Sequence, residues 1–271
     1  MSHTLSLCRF ELGAALRGRT APFFAAGFGL ASVAVALVGL SAGGVLAVQG
    51  FARTSVSLLE LVVWVVPILA LITGAIAGAD CHELEFTASL PIRRAGIVLS
   101  RWLASTLTLG AALLLGLGSA GVVIALLAGS ADGWRYLRLI GVALLVLAAT
   151  LALGLWIGVA ARSRLKAVGL AVAVWFVLVI GVDLAAIGSL AVLPPGKAGP
   201  WLSALLMASP VDSGRALGLS LFHADIVAGP TGAALRAVLG KAGAWALAAA
   251  LIGWTVVPLM LAGRRFTKSD L

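Results

Sequence analysis

"AVGLAVAVWFVLVIGVDLAAIGSLAVL", Ala167 to Leu193, decides how this chain folds. It is an apolar run interrupted by a single charge, Asp183. A helix needs about 20 such residues to cross about 30 Å of hydrocarbon, and a barrel strand needs only about half as many. Lipid offers backbone groups no other partner, so a run this long reads as a transmembrane helix. The basic stretch "RSRLK" stands just before it.

Five more charge-free runs lie outward from this one: Ala21–Val48, Leu61–Ala79, Trp102–Ala131, Leu139–Ala161 and Ala242–Gly263. The chain as a whole is 62% hydrophobic and 11% charged, with a mean hydropathy of +1.14. A soluble domain carries about 25% charged residues, so most of this chain must face lipid. The expected fold is all-α: one polytopic domain over residues 1–271 with six transmembrane helices. Trp102 and Trp134 flank the third run, where an aromatic belt would sit. The first run is too long for a signal-peptide core and follows a polar-rich stretch, so it counts as a span.

Basic residues orient the chain. Arg9, Arg17 and Arg19 precede the first run; Arg93, Arg94 and Arg101 follow the second; Arg162, Arg164 and Lys166 precede the fifth; Arg264, Arg265 and Lys268 follow the sixth. These twelve fall on one side and seven on the other, four of the seven in one long connection. The expected topology places both termini in the cytoplasm and makes Pro194–Lys241 extracytoplasmic. Within that connection, "WLSALLMASP" and "DSGRALGLSLF" each have the content of a short interfacial helix. The net charge of +9 does not indicate nucleic acid, because the basic residues lie in short clusters without interleaved aromatics.

No motif points to catalysis. "GLGSAG" at Gly116–Gly121 matches a dinucleotide-binding pattern but lies inside a span, without the strand that pattern requires. Gly196-Lys197 and Gly240-Lys241 lack the rest of a Walker A loop, so ATP is not bound by that route. "HELEF" at His82 lacks a second histidine. Cys8 and Cys81 form no framework. The few Met, His and Cys are scattered, so no copper relay is visible and no metal site or cofactor is expected. Small residues recur as G-x-x-x-G at Gly39–Gly43, Gly74–Gly78 and Gly154–Gly158, a spacing that lets membrane helices approach closely. Asp183 reads as the charge inside a span. It suits a pathway or proton role and equally a polar contact between helices.

Two further segments stand out. "SLCRFELGAALRGRT" is amphipathic, and residues 1–20 are expected to form an interfacial helix. "AGADCHELEFTASLPIRR", Ala77–Arg94, packs five charges between apolar runs.

Together these features resemble the ABC-2 type permeases, the membrane subunits of ABC transporters, over nearly the whole chain. The N-terminal signature of that family falls on Arg9, Glu11, Leu12, Leu16, Arg17 and Arg19. The pattern after the second helix matches at Asp80, Leu84, Pro91 and Arg94, with Arg101 beyond. Within the family, the resemblance extends to permeases of nitrous oxide reductase maturation transporters. It is carried by Ala167–Leu184, including Asp183, and by "SPVDSGRAL", which places Pro210, Asp212 and Arg215. His82 and Glu83 replace a Gly-Thr pair, Glu85 replaces an apolar residue and Ser209 replaces an asparagine.

The resemblance implies a cytoplasmic ATPase subunit that binds the ATP, a second copy of the chain, and a periplasmic β-helix partner docking on residues 194–241 through Pro210, Asp212 and Arg215. It implies an inner-membrane permease serving copper-site assembly. The alternatives are a general ABC-2 exporter of lipid, peptide or drug and a non-transporting anchor. The cytoplasmic coupling segment would span 80–101. Leu84, Phe86 and Leu90 would be its apolar anchors on the ATPase, Asp80, Glu83, Glu85, Arg93 and Arg94 its charges, and Pro91 its stop.

Overall fold

The computed structural model describes residues 20–41, 47–80, 94–129, 133–221 and 243–268. They form α1 (Thr20–Ser41), α2 (Ala47–Ala79), α3 (Arg94–Ala128), α4 (Gly133–Ala161), α5 (Arg164–Phe176), a π-helical turn (Val177–Gly181), α6 (Val182–Val192), α7 (Pro195–Ala208), α8 (Pro210–Leu221) and α9 (Gly243–Lys268). No strand occurs among the described residues. Among the described residues, six stretches are long and apolar enough to cross a membrane: Pro22–Ser41, Thr54–Ala79, Gly96–Leu127, Gly133–Ala161, Arg164–Ser189 and Gly243–Phe266. The expected six-helix architecture is therefore present.

The helices outrun the charge-free runs that announced them. Glu60, Arg101, Arg135 and Arg138 all lie inside the spanning stretches. Asp183 is thus not the lone charge within a span, and the sequence expectation is corrected on that point. The reason is physical: a charge near the end of a helix leaves the backbone ladder intact, and long side chains reach the polar boundary.

Local chemistry explains the helix starts. Pro195 opens α7 and Pro210 opens α8, positions where a missing N–H costs nothing. Ser209 caps α8: its Oγ accepts from the N–H of Asp212 at 3.2 Å. Arg162 turns the chain between α4 and α5 with φ 55°, and its N–H donates to Gly158 O at 3.2 Å, satisfying a terminal carbonyl of α4.

α4 is the centre of the bundle. It packs on α2, α3, α5, α8 and α9. In lipid, burial of apolar surface does not drive helices together, so close backbone approach must supply the attraction. The α2–α4 contact does this with two of the glycine pairs. A Cβ on Gly74 would sit 2.5 Å from Leu151 O, one on Gly78 2.9 Å from Val159 N, one on Gly154 2.9 Å from Leu71 Cα, and one on Gly158 2.8 Å from Gly78 Cα. None of the four sites has room for a side chain. Gly39 meets Thr54 of α2 in the same way, and Gly116 meets Phe28 and Gly29 of α1. Two of the glycines of "GLGSAG", Gly116 and Gly121, are therefore packing residues, Gly121 against the Tyr136 ring, whereas Gly118 faces open space.

The segment Pro194–Lys241 begins with two short helices, α7 and α8, over the two stretches expected to be helical. α8 is tucked among α2, α4 and α9, with Val211, Ala216 and Leu217 buried. The N-terminal residues Arg9, Glu11, Leu12, Leu16, Arg17 and Arg19 lie outside the described residues, as do Glu83, Leu84, Glu85, Phe86, Leu90, Pro91 and Arg93.

Candidate functional site

Polar side chains gather at two places: one along α2 and α6, at Glu60 and Asp183, and one at the C-terminus of α2 and the start of α5. At the first, Arg215 of α8 meets three carboxylates. Its Nη1 donates to Asp183 Oδ1 and Oδ2 at 3.1 and 3.2 Å and to Asp212 Oδ1 at 3.3 Å. Its Nε lies 3.5 Å from Glu60 Oε1. Asp212 sits one helical turn before Arg215 on α8 and shares its face. Glu60 comes from α2 and Asp183 from α6. One guanidinium thus ties three helices together.

The π-helical turn sets up this geometry. The N–H of Val182 donates to Val177 O, five residues back, so one extra residue is inserted just before Asp183. Such an insertion rotates everything beyond it about the helix axis and is frequent at functional sites. Ser209 seals the same corner from the other side, its Oγ donating to Leu178 O at 3.4 Å.

Burial differs sharply within the cluster. The Asp212 side chain is 3% exposed and that of Asp183 47%. Asp212 Oδ2 has no hydrogen-bond partner. Burial pushes the Asp212 carboxyl up to about 6, against the opposing pull of Ser209 and Arg215. The Arg215 guanidinium is held above its ordinary value: burial works against its charge, but Glu60, Asp183 and Asp212 more than offset that. Two net negative charges would remain if all three acids ionised, so the buried Asp212 carboxyl gives up its proton less readily than a free one.

Asp80, just past the C-terminus of α2, pairs with Arg164 at the start of α5. Arg101 of α3 is buried and donates from Nη1 to Ala77 O at 2.8 Å. Cations suit the last carbonyls of a helix, which carry its negative dipole end. Two arginines therefore grip the turn of α2 that leads into residues 81–93, and Arg94 begins α3 beyond them. Glu60 and Asp80 stand twenty residues apart, or about 30 Å along a helix, the thickness of a bilayer core. Arg164 and Asp183 are nearly as far apart on the α5–α6 rod. Between the two polar ends, Trp175 Nε1 donates to Trp64 O at 3.3 Å and the two rings meet edge-on.

Of the residues expected to matter, the structure brings Asp183, Asp212 and Arg215 together, with Pro210 opening the helix of the last two. It joins Asp80 to a partner that the sequence did not reveal. Glu60 was missed, although it is the last charge before the apolar run Leu61–Ala79, which begins on the side of Asp183. No group of three His, Cys, Asp or Glu among the described residues is placed to hold a metal ion.

Comparison with known sequences decides the family. The model of the ABC-2 family transporter proteins matches residues 33–271. The chain belongs to the ABC-2 transporter family. Two curated relatives carry the name "Probable ABC transporter permease protein NosY". The one from Pseudomonas aeruginosa is 31% identical over 274 aligned positions, covering 98% of each chain. The one from Stutzerimonas stutzeri is 31% identical over 231, covering 82% of this chain and 83% of the relative. As an ABC-2 permease, the chain is the membrane part of an ABC transporter, which implies a cytoplasmic ATPase partner.

Proposed function

We propose that this permease works as a homodimer in the bacterial inner membrane, both termini cytoplasmic, and transmits ATP hydrolysis by two cytoplasmic ATPase subunits to its outer face. The nitrous oxide reductase pathway is the best-supported setting, by similarity to the two NosY relatives. A periplasmic partner of β-helical type would dock on the outer segment, and the complex would serve copper-site assembly in the reductase.

The observation that carries this reading is the pairing of ion contacts on the same helices. Residues 80–94 receive the ATPase. The turn of α2 leading into them is held by Arg101 and Arg164. About 30 Å away, the same α2 and the α5–α6 rod are held to α8 through Arg215. A push on the inner segment therefore reaches the outer segment through rigid helices with a fixed connection at each end. The ion pairs at Asp212 and Arg215 then set the position of α8, and its neighbouring surface meets the partner.

The test is a clean deletion of the gene, complemented with an affinity-tagged copy. Loss of copper from nitrous oxide reductase, restored by the tagged chain, together with recovery of a Walker A ATPase on the tag, supports the reading. Recovery of the ATPase with a fully copper-loaded reductase in the deletion strain leaves a general ABC-2 exporter. Failure to recover any ATPase leaves a non-transporting anchor.

A further inference from the structure

At the end of the bundle that carries Asp80 and Arg164, α3 and α9 line a groove of about 520 Å³. Val98 and Leu99 form one wall, and Val256, Leu259 and Met260 the other. Gly263 contributes no side chain, and Arg264 closes the end. Leu99, Val256 and Met260 are all about half exposed, so the groove opens away from the bundle. Arg265, the next residue, is also exposed. The sixth spanning stretch ends at Phe266, which puts both guanidiniums at the level of the lipid headgroups. From Arg264 back to Val256 is eight residues, about 12 Å of apolar wall running into one leaflet.

We propose that this groove binds an anionic phospholipid, with an acyl chain along the α3–α9 walls and the headgroup phosphodiester at Arg264 and Arg265. Charge decides among the occupants. A second copy meeting this face across a two-fold axis would set the same patch against itself, bringing four arginines together. A zwitterionic lipid offers the same phosphodiester but offsets its charge with an ammonium in the headgroup, so the arginine pair gains less from it. An anionic phosphate complements it, and arginine holds phosphate in two-point contacts. Methionine at the groove wall adapts to a chain of variable shape. A second groove of about 290 Å³ between α3 and α4 is lined by Gly118, Val122, Tyr136 and others, none of them charged. It provides an internal comparison.

The experiment is native mass spectrometry of the purified, delipidated full-length chain titrated with phosphatidylglycerol or phosphatidylcholine. The first adduct should form preferentially with phosphatidylglycerol. Each of Arg264→Gln and Arg265→Gln should lower that preference about fivefold, as about 1 kcal/mol per basic residue requires. Met260→Trp should reduce adducts of both lipids, whereas Val122→Trp in the uncharged groove should leave the preference intact. Glycerol phosphate, which has the charge without the chain, should not displace the lipid. Equal binding of the two lipids, an undiminished preference in the double glutamine variant, or displacement by glycerol phosphate would overturn the proposal. So would efficient disulfide formation between two copies carrying Met260→Cys in native membranes, which would mean that a second copy covers the groove.

Discussion

Arg215 Nη1 bonds both oxygens of Asp183, at 3.1 and 3.2 Å, across 32 residues of chain. The contact joins the C-terminal part of the fifth span to a short helix that follows it, and it exists because the π-helical turn aims Asp183 at α8.

This arrangement ranks the cluster variants. Arg215 serves three acids, so Arg215→Gln leaves them facing one another, and it should cost more than any single carboxylate change. Removing one partner of a buried pair costs about 3–5 kcal/mol. Asp183 and Glu60 are half exposed, so Asp183→Asn and Glu60→Gln should cost about 1 kcal/mol or less. Thermal unfolding in detergent checks the order. Asp183→Asn should still insert normally yet lose activity. Activity at the wild-type level would reduce Asp183 to a structural contact.

Asp212 predicts a pH dependence. Its carboxyl titrates at about 6 in the folded chain, and at about 3.9 when unfolded. The folded chain binds this proton more tightly. Its stabilisation is therefore complete below about pH 4 and is lost as the pH rises through about 6. Two pKa units correspond to about 2–3 kcal/mol. Between pH 5 and 7.5 the unfolding temperature should fall more in the wild type than in Asp212→Asn, which cannot ionise. Parallel curves would show that another group governs the range.

The glycine contacts predict a position-dependent intolerance of alanine. Gly154→Ala and Gly158→Ala should each destabilise by about 1–3 kcal/mol, the usual cost of overpacking, because backbone atoms of α2 stand where the methyl would go. Gly118→Ala has nothing within 4 Å and should be neutral. Unfolding midpoints of the three variants decide this.

Coupling through residues 80–94 should rest on apolar anchors. Burying a Phe or Leu is worth about 1.5–3 kcal/mol, while a rim charge pair gives about 0–1. Phe86→Ala should therefore weaken ATPase co-purification more than Glu85→Ala. Full retention of the ATPase by Phe86→Ala and by Leu84→Ala/Leu90→Ala would rule out a docking role.

Orientation follows from the basic residues and can be read by labelling. In a chain lacking Cys8 and Cys81, a membrane-impermeant thiol reagent on intact cells should modify Gly133→Cys and spare Ser163→Cys. An added side chain at Gly133 meets nothing within 4 Å, so access there is not limited by packing. The reverse pattern would invert the topology.

The sequence by itself determined that this chain is a bundle of six membrane helices, because run length against bilayer thickness leaves no other backbone solution. It also showed the glycine spacing and the family signature, and it singled out Asp183, Asp212 and Arg215 as separate residues. Only the tertiary structure decided how these act together. Whether Gly74–Gly78 meets Gly154–Gly158, or lipid, depends on which helices are neighbours. That Asp183 reaches Arg215 depends on one inserted residue in a π-helical turn, which hydropathy does not register because every residue from Val177 to Val182 is apolar or glycine. Glu60 looked like the boundary of a run. It became part of the cluster because α2 continues unbroken past it: a helix ends where its backbone hydrogen bonds end, and a charge does not end them.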